Sequence, residues 1–186
     1  HYPRVLSIAG SDSCGGAGIQ AYLKTFSALG CYGMTAITAI TAQNTQGVRA
    51  IHGVPPDILQ AQIEAVVEDI GVDAVKIGML HAPEVVRVVA QAIRRFGLKQ
   101  VVLDPVMVAT SGDRLIAAET VQVLVQELFP LATVITPNLD EASCCWAIQL
   151  RASMRWNRQH ASCRPWARPA CCSRAGPPRA SPASPR

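Results

Sequence analysis

Five short stretches of this sequence carry residue types able to do chemistry, and each follows a run of apolar or β-branched residues. They are Gly10–Gly18, Gln43-Asn44, Gly78-Met79, Asp104-Pro105-Val106 and Asn138–Glu141. Gly10, Gly15, Gly16 and Gly18 let a backbone turn sharply and approach a ligand with no Cβ in the way. A primary amide such as Gln43 presents a donor and an acceptor side by side. Two readings of Gly10–Gly18 stay open from the residues alone. A strand feeding a glycine-rich loop at a helix start suits an anion or a polar small molecule. The same spacing also fits a plain strand-to-helix connection that uses glycine for close packing.

The elements that must position these residues follow from periodicity. Val5–Ala9 reads as a buried strand cut off at Gly10. From Ala17 the period becomes helical, with Ile19, Leu23, Phe26 and Leu29 or Ala28 on one face and Gly30 at the left-handed cap position. Residues 34–42 predict one strand, Gln43–Gly47 a polar turn and Val48–Val54 a further short strand. Pro55-Pro56-Asp57 opens a helix whose apolar face is Ile58, Ile63, Val66, Val67 and Ile70, closed by Gly71. Strand Ala74–Ile77, a helix from Ala82-Pro83 to Phe96 stopped by Gly97, strand Val101–Leu103, a polar loop at Thr110–Asp113, a helix near Ala117–Leu128 and strand Val134–Thr136 complete the pattern. Strands alternating with such helices predict βαβ units, that is, a mostly parallel sheet with helices on both faces. Ligands of such sheets bind beyond the carboxyl ends of the strands. The five chemical stretches all fall there, so they describe one small-molecule cleft.

Composition separates two unlike segments. The chain has 186 residues, 49% hydrophobic and 16% charged, which predicts a well-buried core and excludes general disorder. It has no run of about eighteen apolar residues, so no membrane span is expected. Residues 1–143 hold 9 Lys and Arg against 13 Asp and Glu, a net −4, whereas residues 144–186 hold 8 Arg and no acid, a net +8. That tail also has six prolines and five of the seven cysteines. Cys14 and Cys31 alone precede it, as in a reduced cytoplasmic protein, and no secretory signal is read in the opening residues. In the tail Cys144-Cys145 and Cys171-Cys172 are adjacent pairs, unlike the spaced pairs of zinc sites. Trp146, Trp156 and Trp166 could stack on bases, but nucleic acid is not the expected partner. The abrupt Arg, Pro, Ala and Cys enrichment instead suggests an out-of-frame or disordered segment. Translating the same DNA in the other two frames beyond codon 143 tests this, and finding no α/β continuation would sink it.

Taken together, SIAGSDSCGGAGIQAYLKTFSALG (7–30), TAQNTQGV (41–48), VKIGML (75–80), VVLDPVMVATSGD (101–113) and ITPNLDEA (135–142) resemble the hydroxymethylpyrimidine/phosphomethylpyrimidine kinases of thiamine biosynthesis, in the ribokinase-like superfamily. The resemblance covers residues 4–143. Pyridoxal kinases share the D-P-V and T-P-N-x-x-E elements but match the opening G-G-A-G-I-Q stretch less well. The resemblance implies a three-layer αβα sandwich with its C-terminal part missing. It implies ATP- and Mg2+-dependent phosphorylation of 4-amino-5-hydroxymethyl-2-methylpyrimidine and then of its monophosphate. It further implies that Gln43 reads the aminopyrimidine, that Met79 and Val106 flank the ring and that the backbone at Gly10 faces the substrate. Asp104, Asn138 and Glu141 fall on its nucleotide side, with Asp104 and Glu141 as Mg2+ candidates. Asn138 and Glu141 equally match a helix capping box.

The sequence departs from the family at Tyr22, where Asp is usual, at Cys14, where Gly or Ser is usual, and at Thr110, where Lys is common. The family's K-G-G segment and its G-T-G-C segment, a glycine-rich anion hole carrying the catalytic cysteine, do not occur in these 186 residues. Little or no turnover is therefore expected. The other expectations are a non-catalytic pyrimidine-binding remnant or a pyridoxal-kinase-like enzyme, a cytoplasmic location and, by family habit, a homodimer.

Overall fold

A computed structural model describes residues 1–107, 116–145 and 170–171. The loop containing Thr110 and Asp113, and residues 146–169 and 172–186 of the tail, lie outside the described residues. The elements run β1 (Arg4–Ala9), α1 (Gly18–Ala28), β2 (Tyr32–Ile37), β3 (Ala39–Asn44), β4 (Gly47–Gly53), α2 (Pro56–Asp69), β5 (Ala74–Ile77), α3 (Pro83–Phe96) and β6 (Val101–Leu103). Then come α4 (Ala118–Val123), prolonged by a wider turn at Leu124–Leu128 and a tighter one at Phe129–Leu131, β7 (Val134–Ile135), a helix over 139–145, and β8 (Ala170–Cys171). Six strands form one parallel sheet in the order β2-β1-β5-β6-β7-β8, and β3 and β4 form a separate antiparallel hairpin. Residues Ala170–Cys171 of the tail thus pair with β7, Val134 opposite Ala170.

Strand alternation sorts the sheet's two faces. Leu6, Ile8, Val75, Ile77 and Leu103 are fully or almost fully buried against Leu59 and Ile63 of α2, Val85, Val86 and Val89 of α3, and Leu124 and Leu128 after α4. The opposite face of β1 and β2 meets α1, whose Leu23 and Phe26 lie against Gly33. No described helix is long and apolar enough to cross a membrane.

Two expectations are corrected. Residues 34–42 are two strands, not one. The break is at Thr38, whose N–H donates to Ala9 O at 3.0 Å, whose hydroxyl donates to Met79 O at 2.9 Å, and whose carbonyl accepts Val54 N–H at 2.9 Å. These bonds turn the chain out of the parallel sheet and into the hairpin. In α2 the buried stripe is led by Leu59, fully buried, and Ile58 is 51% exposed.

β1 is anchored to the turn before β5 by a bidentate ion pair. Arg4 Nε and Nη2 donate to the two carboxylate oxygens of Asp73 at 3.1 and 2.7 Å, and Arg4 N–H adds a third bond at 2.8 Å. Arg4 thereby pulls the Asp73 carboxyl down to about 2. A depressed native pKa stabilises the fold above the ordinary aspartate range, and that contribution disappears as pH falls toward 2. Asp73→Asn should therefore melt below the parent at pH 5 and converge on it near pH 2. Thermal unfolding across that range checks this, and a gap independent of pH would contradict it.

Candidate functional site

The site begins in the loop joining β1 to α1. Asp12, only 2% exposed, turns its carboxylate back into this loop. It accepts N–H bonds from Cys14 (3.0 Å), Gly16 (3.0 Å) and Ala17 (2.8 Å), and lies 3.3 Å from the Cys14 thiol. Its own N–H donates to Gln20 Oε1 at 2.8 Å. Burial pushes the Asp12 carboxyl up, but the Cys14 thiol and the three N–H groups outweigh it and hold the group below its ordinary value. The N–H groups of the loop that leads into α1 are therefore already filled by an internal anion.

The same loop runs beside the free edge of β3. Ser11 N–H donates to Ala39 O at 2.8 Å, Ser11 Oγ accepts Thr41 N–H at 3.0 Å, and Thr41 Oγ1 donates to Ser11 O at 2.7 Å. Ser13 Oγ accepts Gln43 N–H at 2.8 Å and faces the carbonyls of Gln43 (2.8 Å) and Thr41 (3.2 Å). Gln43, half-buried, sits directly after a bulge in the β3–β4 register at Ala42/Gln43. Gly10 lies against Met79: a Cβ on Gly10 would stand 2.5 Å from the Met79 methyl. Glycine at position 10 thus makes room for Met79, which is 8% exposed. One loop thus packs against Met79 at Gly10 and bonds Gln43 at Ser13.

The carboxylates form a second group. Asp104, 5% exposed at the end of β6, has Oδ2 3.3 Å from the Lys76 ammonium of β5. Val106 N–H folds back to Asp104 O at 2.8 Å. Asn138 and Glu141 make the reciprocal capping box: Glu141 N–H donates to Asn138 Oδ1 and Asn138 N–H to Glu141 Oε2, both at 2.9 Å. Glu141 Oε1 also accepts Met107 N–H at 3.3 Å, which ties the D-P-V-M loop to the helix over 139–145. The two groups meet through Tyr22 of α1. Its hydroxyl lies beside Gly78, and the Lys76 ammonium stands 5.3 Å from its ring centroid. Tyr22, Lys76 and Asp104 so form a continuous row under the strand ends.

Sequence reasoning missed Asp12, Ser11, Ser13 and Lys76. A lysine inside the apolar strand A-V-K-I was a usable signal, because a charge there needs a partner. Asp12 ahead of a helix start was another, weaker one.

A parallel sheet between helical layers, its polar residues gathered at the carboxyl ends of the strands, is the architecture of ribokinase-like small-molecule kinases. Comparison with known proteins narrows the class. The chain belongs to the phosphomethylpyrimidine kinase family, whose model matches residues 12–162. It is 61% identical over 138 residues to the hydroxymethylpyrimidine/phosphomethylpyrimidine kinase of Rhizobium meliloti, covering 74% of this chain and 52% of that protein. The structure resembles the crystal structure of phosphomethylpyrimidine kinase from Clostridium difficile 630, with TM-score 0.73 and 46% identity over 84% of this chain and 71% of that one. It also resembles pyridoxal kinase from Staphylococcus aureus in complex with AMP-PCP and pyridoxal, with TM-score 0.70 and 36% identity over 80% and 52% of the two chains. The chain thus spans about half the length of the curated relative from Rhizobium meliloti.

Proposed function

We propose that this chain carries the acceptor side of an ATP-dependent kinase that phosphorylates 4-amino-5-hydroxymethyl-2-methylpyrimidine and its monophosphate. The observation that carries the reading is that one loop both packs Gly10 against Met79 and hydrogen-bonds Gln43 through Ser13. Gln43 supplies the paired donor and acceptor that an exocyclic amine beside a ring nitrogen needs. Met79 and Val106 supply polarizable and branched apolar surface for a flat ring. Asp104, Asn138 and Glu141 occupy the nucleotide side.

Mg2+ keeps several waters and takes one or two carboxylates together with phosphates. Among the described residues no three His, Cys, Asp or Glu side chains cluster for a metal. Asp104 after β6 and Glu141 in the helix that follows β7 are hard carboxylates of the kind this demand calls for, so they are the proposed holders. When bound, the ion neutralises charge on the transferred phosphoryl group. The protein's own part is to fix those carboxylates. Lys76 holds Asp104, and the capping box and Met107 N–H hold Glu141.

Calorimetric titration of the chain with the hydroxymethylpyrimidine tests the reading. Binding is expected, and Gln43→Ala should weaken it by a factor of about 10 or more, because the base's polar edge is left without partners. Tighter binding of pyridoxal than of the pyrimidine, or an unchanged affinity in Gln43→Ala, would overturn it.

A further inference from the structure

We infer that Ser13, with Ser11 behind it, is a positioning residue for Gln43. The inference rests on the reading of Gln43 as the group that recognises the pyrimidine. In an antiparallel hairpin, alternate residues of each strand turn their N–H and C=O away from the partner strand. On β3 these outward groups belong to Ala39, Thr41 and Gln43, and among the described residues no further strand of the hairpin sheet covers them. The segment Ser11-Asp12-Ser13 takes that place using side chains. Ser11 N–H meets Ala39 O, Ser11 Oγ meets Thr41 N–H, and Ser13 Oγ meets both the N–H and the C=O of Gln43 at 2.8 Å.

A hydroxyl is suited to this double contact because it accepts and donates through one atom. Fixing both backbone groups of Gln43 fixes the direction of its Cα–Cβ bond, leaving only side-chain torsions to be set on binding. The position matters because the register shifts at Ala42/Gln43, where the bulge loosens the bonding to β4. Asp12, between the two serines, holds the loop itself in shape through the N–H groups of Cys14, Gly16 and Ala17. Recognition in this site is thus set by the edge of a hairpin pinned to the first loop, and Ser13 is the pin nearest the recognising side chain.

The test combines amide hydrogen exchange with pyrimidine titration on the full chain and its Ser13→Ala and Ser13→Thr variants. In Ser13→Ala the Gln43 amide should exchange faster by a factor of about 3 to 10, the loss of one ordinary hydrogen bond. Amides of β1 and β5 should not change. Pyrimidine affinity should fall by a similar factor, and Ser13→Thr, which keeps the hydroxyl, should restore both. Unchanged exchange at Gln43 in Ser13→Ala would overturn the inference. So would faster exchange with unaltered affinity, since the contact would then be structural only. If the parent chain binds no pyrimidine, the reading of Gln43 falls, and the inference that Ser13 positions it for recognition falls with it. The exchange data then still decide separately whether Ser13 holds the Gln43 backbone.

Discussion

Gly18→Ala is expected to remove about 3 kcal/mol of stability or more and to abolish pyrimidine binding, because two independent penalties coincide there. Gly18 has φ +57°, the left-handed region, in which a side chain costs about 1–2 kcal/mol. In addition, a Cβ at this position would penetrate the carbonyl oxygen of Gly10, a backbone atom that cannot rotate away. The close approach exists because Ile19 N–H donates to that same carbonyl at 3.0 Å, closing α1 onto the end of β1. Relieving the clash therefore means opening the helix start or moving Gly10, and moving Gly10 disturbs Met79 beside it. Gly30→Ala separates the two penalties. Gly30 has φ +70°, yet nothing lies within 4 Å of a Cβ placed there. It should lose only the conformational share, about 1 kcal/mol. Thermal and denaturant unfolding of both variants measures the difference, and equal losses would refute the clash.

The contrast between these glycines shows what could be read from the sequence and what could not. Positions governed by local rules were legible. α3 announced itself through Ala82-Pro83 at its start, a steady apolar stripe and Gly97 in the left-handed cap, and the structure places its ends at Pro83 and Phe96. Strands β1, β5 and β6 were legible because an apolar run bounded by turn residues has few other uses. The division of residues 34–42 was not, because its cause is bonding from Thr38 to Ala9 and Met79, and no local pattern encodes a distant acceptor. In α2 the stripe Ile63, Val66, Val67 and Ile70 was legible and only its first member was misassigned, because Ile58 and Leu59 are equally apolar and only the sheet beneath chooses between them. The site divided in the same way. Gly10, Met79 and Asp104 stood out because they follow strands, whereas Gln43, read as the start of a polar turn, lies inside β3. Ser11 and Ser13 escaped because their partners are backbone groups, which every residue carries and no sequence distinguishes. Asn138 and Glu141 matched two patterns at once, and the structure displays the capping geometry between them.

Asp12→Ala should be nearly as damaging as Gly18→Ala. It leaves the N–H groups of Cys14, Gly16 and Ala17 without their acceptor, for an expected loss of about 2–4 kcal/mol. Asp12→Asn keeps an acceptor oxygen but no charge, and about 1–2 kcal/mol is expected, the difference between charged and neutral hydrogen bonds at a helix start. The charge has a signature in pH. The native Asp12 carboxyl is held below its ordinary value, so its contribution is complete above the ordinary aspartate range and is lost as pH falls through the lowered native value. Asp73 titrates in the same window, so the comparison belongs in an Asp73→Asn background, where the remaining acid slope should shrink again on Asp12→Asn. A slope unaffected by Asp12→Asn would show that the carboxylate is not the anion the loop requires. There is a positive control as well. Three N–H groups converging in the loop ahead of α1 form an anion site once their own carboxylate is removed. Millimolar phosphate should therefore raise the melting temperature of Asp12→Ala by more than it raises that of the parent. That outcome would fit the proposed acceptor role of this glycine-rich loop: its capacity for a phosphate would be consumed within the chain by Asp12, which would leave Ser13, Gly10 and the hairpin edge to shape the proposed pocket.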